Sequence, residues 1–325
     1  MQRVSRALAG ASALACLLHA ASAQAEPLLT RNQHPLVTLY GLPMPLAARL
    51  PGPGSGRIGG TMNWSNFATT DTTERRSYTL DGEVFEVRVQ AGHALGERFA
   101  VHGELAWRQL SGGSLDSLVE SWHDLFSLPS GSRNRLPEDA LLIEYRAGES
   151  TLLRVEDDSS GLADIPLSLG YQLSASERGA VATWLTIKVP TGKAEDLTGS
   201  GAIDVALSLA GERQLSERWQ LFGQANVAWL GKGDVLEDLQ QDFAGSLLAG
   251  TTWKAWRGLE LTAQLEANTA VLDTGTDLDG DAVVLTLGGR YRTTAGWTFD
   301  FGFSEDVQID ASPDIVLLLG VRHAL

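Results

Sequence analysis

Long stretches of strict alternation between apolar and polar residues limit most strongly how this chain can fold. In Leu259–Asn268, leucine and alanine at every second position alternate with glutamate, threonine and glutamine. The same pattern recurs in residues 99–108, 165–174 and 297–304. Alternation of period two places one class of side chain on each face of a β-strand. The chain is therefore predicted to be all-β.

The length of the predicted strands separates a membrane barrel from a soluble sandwich. Each has about ten residues, whereas soluble strands average roughly 5–6 and a tilted membrane strand needs about 9–11. Connections are alternately short, as at residues 94–97 and 255–257, and long, as at residues 112–138 and 191–201. Short turns on one side and long loops on the other are typical of outer-membrane barrels. We therefore expect an antiparallel transmembrane β-barrel.

The predicted barrel has about 14 strands, with 12 as the alternative because residues 151–156 form only a short segment. The strands start near residues 57, 83, 99, 140, 151, 162, 179, 203, 219, 241, 258, 281, 296 and 314. An even number places both ends of the barrel on the periplasmic side. Trp219, Trp253, Trp256 and Trp297 lie beside short turns and predict an aromatic girdle. Core tryptophans of a soluble sandwich are the alternative.

The first 25 residues have the features of a secretory signal peptide. Arg3 and Arg6 precede an apolar core at residues 7–18, and Ala-Gln-Ala at residues 23–25 is a cleavage site. A lipoprotein signal at Cys16 is the weaker alternative. Cleavage leaves 300 residues without cysteine, carrying 23 basic and 40 acidic residues and a formal charge of −17. That acidity argues against nucleic acid as a partner.

The expected division of the chain is a signal peptide at 1–25, an N-terminal segment at 26–56 and an outer-membrane barrel at 57–325. The N-terminal segment is rich in proline and glycine, which is unsuited to a long strand or helix. Its apolar residues, among them Leu36 and Tyr40, favour burial as a plug in the lumen. A disordered periplasmic tail is the alternative.

An amphipathic helix is predicted inside the longest loop. Residues 114–128 have apolar side chains at helical spacing, and Ser114 is placed to cap the first turn. Such a helix could lie over the barrel mouth, inside the lumen or on the outer leaflet.

The final strand, from Asp314 to Leu325, resembles the C-terminal assembly signal of outer-membrane proteins, with Leu319, Val321 and Leu325 on one face. It departs from that pattern in ending on leucine and in having His323 where an apolar or aromatic residue is usual. The resemblance implies the barrel-assembly machinery as a partner. Outer-membrane lipid and lipopolysaccharide are the other expected partners.

Five short motifs are spread over the mature chain. They are N-Q-x-P-L and Y-G-L-P in the N-terminal segment, G-G-x-L-D at 112–116, F-x-L-P at 126–129 and P-T-G…L-T-G-S-G-x-x-D at 190–204. Together they resemble an uncharacterised bacterial family of outer-membrane β-barrels, domain of unknown function 3187. The resemblance covers nearly all of the mature chain. It implies an envelope location and a barrel fold, but no reaction and no functional residues.

The sequence predicts no catalytic site, no cofactor and no metal site. His102, Glu104 and Arg108 share one strand face, and we expect a charge network there because no nucleophile–histidine pattern accompanies them. Residues 273–281 look like part of a calcium loop, but glycine and threonine stand where two main ligands should be. We therefore expect a protein that is not an enzyme, with an envelope hydrolase as the remote alternative.

The polar faces of the strands predict which side chains line the lumen. The expected lumen-lining residues are Glu86, Arg88, His102, Glu104, Arg108, Glu144, Arg146, Lys188, Gln224, Glu260, Glu266, Arg290, Arg292 and Asp300. Their mixed charge forms no single-sign ring of the kind that selects ions. The sequence thus favours a passive channel or plugged transporter for an unknown small molecule. A structural or surface-interaction barrel without transport is the alternative.

Overall fold

The computed structural model describes residues 26–127, 131–307 and 311–325, and the predicted signal peptide lies outside the described residues. The strands of the described residues are β1 (Gly56–Thr72), β2 (Arg76–Ala94), β3 (Phe99–Ser111), β4 (Leu142–Ala147), β5 (Ser150–Val155), β6 (Ser159–Leu162), β7 (Ile165–Ser176), β8 (Gly179–Val189), β9 (Asp204–Gln214), β10 (Trp219–Trp229), β11 (Phe243–Trp256), β12 (Leu259–Asn268), β13 (Ala282–Arg292), β14 (Trp297–Asp306) and β15 (Ile315–Ala324). The helical elements are α1 (Asp116–Phe126) and the 3-10 turns Val37–Leu39, Arg133–Arg135, Glu237–Leu239 and Asp277–Asp279. Among these helices none is long and apolar enough to cross a membrane.

Twelve of the described strands close into one antiparallel barrel. They are β1 to β3 and β7 to β15, and each pairs with the next along this order. The last strand returns to the first, because β1 pairs with β15 from Arg57 with Ala324 to Asn66 with Ile315. These strands leave no free sheet edge in the wall, as a sheet embedded in lipid requires. The predicted all-β antiparallel barrel is confirmed, with 12 strands in the closed wall.

The remaining three strands extend the wall at one end. β4 pairs with the first part of β2, from Arg76 with Ala147 to Asp81 with Leu142, and β5 pairs with β4. β6 pairs with the last part of β3. The two strands predicted near residues 140 and 151 are therefore the hairpin of β4 and β5, which accounts for the difference between 14 and 12.

The two ends of the barrel differ in their connections. Turns of two to four residues join β2 to β3, β7 to β8, β9 to β10, β11 to β12 and β13 to β14. This short-turn end also carries the start of β1 and the end of β15. The longer loops after β3, β8, β10, β12 and β14 lie at the opposite, long-loop end. The two ends therefore have the asymmetry expected of outer-membrane barrels.

The outer wall of the barrel is apolar. Residues that alternate with the buried ones are exposed leucine, valine and aromatic side chains, such as Leu261 on β12, which is 42% exposed. Near the short turns, Trp219, Trp256 and Trp297 are exposed on this surface, and Trp219 stacks on Trp253 with 6.2 Å between ring centroids. These tryptophans therefore border the apolar belt and are not buried in the core of a soluble β-sandwich.

Helix α1 lies against the outer wall, across the seam between β15 and β1. Val119 packs with Ile315 of β15 and Trp64 of β1, and Trp122 contacts Phe303 of β14 edge-on, with 5.1 Å between ring centroids. The helix therefore lies outside the lumen, against the outer wall, so the luminal placement that the sequence left open is wrong.

The first turn of α1 is capped by Glu83 of β2. The Glu83 carboxylate accepts hydrogen bonds from the backbone N–H groups of Ser114, at 2.7 Å, and Leu115. Gly113 has a φ of 79°, and a Cβ there would overlap this carboxylate. The prediction that Ser114 caps the helix is wrong, because the N-cap residue is Leu115, whose side chain makes no capping hydrogen bond. A carboxylate from a distant strand satisfies the free N–H groups instead.

A buried ion-pair cluster joins the loop around α1 to the wall. Arg133 lies between Asp116 of α1, with 2.7 Å between Nη1 and Oδ1, and Asp314, which directly precedes β15. The same guanidinium also donates to Asn66 of β1. Arg133 therefore connects the helix to both strands that close the barrel.

Candidate functional site in the barrel lumen

Residues 26–50 form a luminal segment that runs along the barrel interior and returns. Glu26 pairs with an arginine at the short-turn end of β15. Halfway along, the backbone N–H of Gly41 donates to Asp204 at the long-loop end of β9, at 2.8 Å. Arg49 then pairs, at 2.8 Å, with a glutamate near the short-turn end of the same strand. Both ends of the segment therefore lie at the short-turn end.

The turn of the luminal segment closes the long-loop end with an apolar cluster. Leu36, Leu39 and Tyr40 are almost fully buried and pack in one cluster with Tyr78 of β2 and Leu197. Burial of large apolar side chains on this scale stabilises the segment where it reverses direction. Leu36 and Tyr40, which the sequence predicts to be buried, thus lie against the inner wall.

Three inward-facing glutamines hold the backbone of the luminal segment with their side-chain amides. Each amide oxygen accepts from a backbone N–H group at 2.6–2.9 Å, and each amide nitrogen donates to a backbone carbonyl at 2.9–3.3 Å. The contacts are Gln264 with Leu28, Gln224 with Leu46 and Met44, and Gln172 with Leu50 and Ala48. Buried backbone groups require such partners, so the glutamines permit an irregular chain inside the barrel.

Arginines fix the start of the segment at the short-turn end. Arg322 bridges Glu26, at 2.8 Å, and Asp300 of β14, at 2.6 Å. Arg290 also pairs with Asp300 at 2.6 Å and donates to the Glu26 carbonyl at 2.9 Å. Burial alone would raise the pKa of Glu26, but Arg57, Arg322 and Arg290 outweigh it and hold that pKa well below its usual range. Glu26 is therefore ionised and paired.

A second charge network lies on the inner faces of β2 and β3. Glu86 pairs with Arg88 at 2.6 Å and with Arg108 at 2.8 Å. Arg88 also pairs with Glu104 at 2.5 Å, and His102 lies 3.2 Å from Glu104. Opposite charges alternate through the network, so each buried charge has a partner.

The motif P-T-G…G-S-G-x-x-D builds a third network, around Lys188. The Lys188 ammonium contacts the carboxylates of Asp164 and, at 3.2 Å, Asp204, and donates to Ser200 at 2.6 Å. Asp164 also accepts from the backbone N–H of Gly192 at 2.9 Å. Because Asp204 holds Gly41 as well, the motif connects the loop between β8 and β9 to the luminal segment.

The structure brings twelve of the predicted lumen-lining residues to the inner face of the wall. Fully buried there are Glu86, Arg88, Glu104, Arg108, Lys188, Gln224, Glu260, Arg290 and Asp300. Partly buried on the same faces are His102, Glu266 and Arg292. Most of these side chains contact the luminal segment or each other, so they do not line an open passage.

Glu144 and Arg146 are corrections to the predicted lumen-lining set. On β4 the buried side chains are Ile143 and Tyr145, and Glu144 instead pairs with the exposed Arg154 of β5. β4 extends the wall beyond the closed barrel, where its inner face meets the apolar cluster. On β4 it is therefore the apolar set of alternating side chains, and not the charged set, that faces inward.

Several residues that hold the luminal segment are not among those that the sequence predicts to line the lumen. Gln172 and Gln264 lie on the polar faces of predicted strands, as does Gln224 of the predicted set, but nothing local to either position indicates a contact with the luminal segment. Asp164 and Asp204 each stand at or near the start of a strand, a position that could have drawn attention to them. Their shared partner Lys188 is far from both in sequence, so their pairing depends on the barrel.

The acidic loop that resembles part of a calcium loop uses its carboxylate internally. Asp279 accepts from the backbone N–H groups of Thr274 and Gly275, each at 2.5 Å, and from the Thr274 hydroxyl at 2.7 Å. In the part of the chain that the structure describes, no three His, Cys, Asp or Glu side chains are grouped to hold a metal ion.

Small cavities remain between the luminal segment and the wall. One of them has a volume of about 80 Å³, lies at the short-turn end and is bordered by Leu46, Gln90 and Trp184. A second, of about 30 Å³, lies deeper, beside Met44 and Arg108. The segment therefore occupies most of the space that a 12-stranded wall encloses.

Comparison with known proteins gives a family match along almost the whole chain. A family model described as "Protein of unknown function (DUF3187)" matches residues 10–325. No curated protein sequence matches the chain.

Among solved structures, the chain is similar to the COG4313 outer membrane channel from Pseudomonas putida F1, with 15% identity, 85% of this chain and 97% of that chain covered, and a TM-score of 0.57. It also aligns with the NanC porin, at 8% identity, 83% and 100% coverage and a TM-score of 0.48. The toluene transporter TbuX of Ralstonia pickettii aligns at 10% identity, 84% and 90% coverage and a TM-score of 0.43. At an identity this low, the likeness to the COG4313 channel shows a shared barrel fold and nothing beyond the fold.

Proposed function

This chain belongs to the DUF3187 family of proteins of unknown function, and we propose that it is an outer-membrane channel for small molecules whose lumen is closed by its own N-terminal segment. The observation that carries the proposal is the course of residues 26–50 through the barrel and back. A wall of 12 strands encloses a space that a purely structural barrel would fill with its own side chains. Here a separate segment occupies that space, and its removal would leave a polar passage.

The apolar outer belt supports the proposed outer-membrane location. Helix α1 adds to this apolar surface, because one of its three faces is apolar and exposed. Val119 and His123 face the barrel, Glu120 lies on the polar side, and Leu118 and Leu125 are exposed beside the lipid-facing wall. A helix with this distribution suits the boundary between acyl chains and head groups. We therefore propose outer-leaflet lipid, including lipopolysaccharide, as the partner of this surface.

The proposed route for the solute follows the charged inner wall. The networks around Arg88, Lys188 and Arg290 contain both signs of charge, so the passage would favour neither cations nor anions by a single ring. We further propose that the barrel-assembly machinery recognises β15, the strand that ends the chain and closes the barrel against β1. The predicted signal peptide would provide export from the cytoplasm.

Single-channel recording in planar bilayers tests the channel. The mature protein is compared with a variant that lacks residues 26–50 but keeps the signal peptide for export. We expect small or rare openings from the mature protein and a stable, several-fold larger conductance from the variant. Circular dichroism and heat-dependent gel mobility serve as the control that the shortened barrel has folded.

A structural barrel without transport is the second candidate. The buried ion pairs of Glu26 and the glutamine contacts favour it, because they hold the luminal segment at many points. Background conductance from both the mature protein and the folded deletion variant would contradict the channel and leave this second function.

A further inference from the structure

A short stretch at the long-loop end, residues 311–314, lies between the luminal segment and helix α1. This stretch, the rim link, directly precedes β15. Ala311, Ser312 and Pro313 are buried. The ring of Pro313 fixes one backbone dihedral angle and removes one N–H group. The rim link therefore has few conformations available, and a change at one of its ends affects the other.

The inner end of the rim link holds the luminal segment through Asn32. The Asn32 Nδ2 group donates to the Ala311 carbonyl at 2.9 Å and to Asn268 Oδ1 of β12 at 3.0 Å. Its Oδ1 accepts from the backbone N–H of His34 at 2.9 Å. Asn32 is 1% exposed, so water does not replace an acceptor that moves away, and an N–H left unpaired there is costly. The position of Ala311 therefore affects the turn that begins at His34.

The outer end of the rim link holds helix α1. Asp314 accepts from the Nε of Arg133 at 3.1 Å, and Arg133 pairs in turn with Asp116 in the first turn of α1 at 2.7 Å. Ile315, the next residue of the chain, packs in one cluster with Val119 of α1. Three positions of the chain thus separate a contact with the outer helix from a contact with the luminal segment.

We propose that the docking of helix α1 on the outer wall controls how firmly the luminal segment closes the lumen, with the rim link as the coupling element. Two sites are coupled when both bias an element that has two arrangements, and here that element is the turn of the luminal segment, held or released. With α1 docked, Arg133 holds Asp314, and the Ala311 carbonyl stays within reach of Asn32. When α1 leaves the wall, the rim link loses its outer contact and the turn is released more often. That this release admits a solute rests on the proposed channel function.

Cysteine labelling of the mature protein in detergent measures the release. The one cysteine of the sequence is Cys16, in the predicted signal peptide, so Val37→Cys places a single thiol in the turn of the luminal segment. Val37 is buried, so a maleimide reacts with this thiol only when the turn opens, and the labelling rate follows the opening equilibrium.

Asp116→Ala separates helix α1 from Arg133 and leaves the pair of Arg133 with Asp314 in place. We expect this variant to raise the labelling rate of Val37→Cys about fivefold or more, the usual range of coupling between two sites. Asp124→Ala is the matched control, because Asp124 lies on the same helix with its side chain exposed. Its labelling rate should equal that of the unaltered background.

A second reporter and a double variant locate the coupling. Ala48→Cys is buried in the luminal segment at the short-turn end, far from the rim link, and its labelling rate should not change in Asp116→Ala. Asn32→Ala cuts the inner contact and should also raise the labelling rate of Val37→Cys. Because both substitutions act through the rim link, the double variant should label little faster than Asn32→Ala alone. Heat-dependent gel mobility checks that each variant is folded.

The outcomes separate this coupling from the channel function. An unchanged rate at Val37→Cys in folded Asp116→Ala, an equal rise at Ala48→Cys, an equal rise in Asp124→Ala, or a double variant that multiplies the two single effects would each overturn the coupling. Faster labelling at Val37→Cys with background conductance from the deletion variant would support the coupling and contradict the channel. Conductance from the deletion variant with unchanged labelling would do the reverse.

Discussion

Gln264 and Leu28 are joined by two hydrogen bonds: the glutamine Oε1 accepts from the Leu28 N–H group at 2.9 Å, and its Nε2 donates to the Leu28 carbonyl at 3.3 Å. The side-chain amide thus makes the two contacts that a neighbouring strand would otherwise provide. Leu28 is fully buried, so water does not replace them. Repetition of this contact at Gln224 and Gln172 keeps an irregular segment stable inside a barrel.

Gln264→Leu is expected to lower the free energy of unfolding by about 2–4 kcal/mol. The substitution leaves one buried N–H group and one buried carbonyl unpaired, and each costs about 1–3 kcal/mol. Denaturant unfolding in detergent, followed by tryptophan fluorescence, measures the change. Gln214→Leu, at a partly exposed strand end, should change it by less than about 0.5 kcal/mol. Equal effects of the two substitutions would contradict the role assigned to Gln264.

Lys188→Met is expected to destabilise the barrel by about 3–5 kcal/mol, because it leaves Asp164 and Asp204 as buried carboxylates without their cation. Since Asp204 also holds Gly41, the middle of the luminal segment should become accessible to protease. Lys232→Met is the matched control: Lys232 is half exposed and pairs with Asp242 at 3.4 Å, so its loss should cost less than about 1 kcal/mol. Protection of the segment in folded Lys188→Met would argue against this link.

Arg133→Met is expected to release helix α1 from the outer wall. The change removes the cation between Asp116 and Asp314 and should cost about 3–5 kcal/mol locally. Limited proteolysis should then cut between β3 and β4 several-fold faster, while the barrel itself stays folded. Arg154→Met removes a half-exposed arginine that pairs with Glu144 of β4 and with the exposed Glu156 just after β5, so its cutting rate should match that of the unaltered protein. No difference between the two variants would contradict the assigned contact.

Acidification is expected to loosen the luminal segment through His34. Burial lowers the pKa of His34 to about 4, from the ordinary value near 6.5. Between these values the undocked or unfolded chain binds a proton that the folded chain does not, so stability falls as the pH drops from about 6.5 towards 4. The expected loss over this range is about 3 kcal/mol.

Thermal unfolding across that pH range, with His34→Gln as comparison, measures the effect. The variant cannot bind the proton, so its stability should decline less between pH 6.5 and 4 than that of the unaltered protein. The contribution of Glu26 is distinct, because its lowered pKa means that its ion pairs weaken only at more acidic pH. Parallel pH profiles for the two proteins would refute the assignment to His34.

The barrel itself could be predicted from the sequence because its signals are local. Alternation and strand length in segments such as Leu259–Asn268 fix which face meets lipid, whatever strand lies next to it. Where a strand leaves the closed wall the signal fails. On β4 the alternation is present, but the inner face holds Ile143 and Tyr145 rather than Glu144 and Arg146.

What lies inside and outside that barrel was decided by the tertiary structure. The proline, glycine and apolar residues in 26–50 were compatible with either a luminal plug or a periplasmic tail. The helical spacing near Val119 was compatible with a helix over the barrel mouth, inside the lumen or on the outer leaflet. Gln264 meets Leu28 across 236 positions of the chain, and Arg133 meets Asp314 across 181. Such contacts depend on side chains that become neighbours only when the strands close, so no local pattern of the sequence contains them.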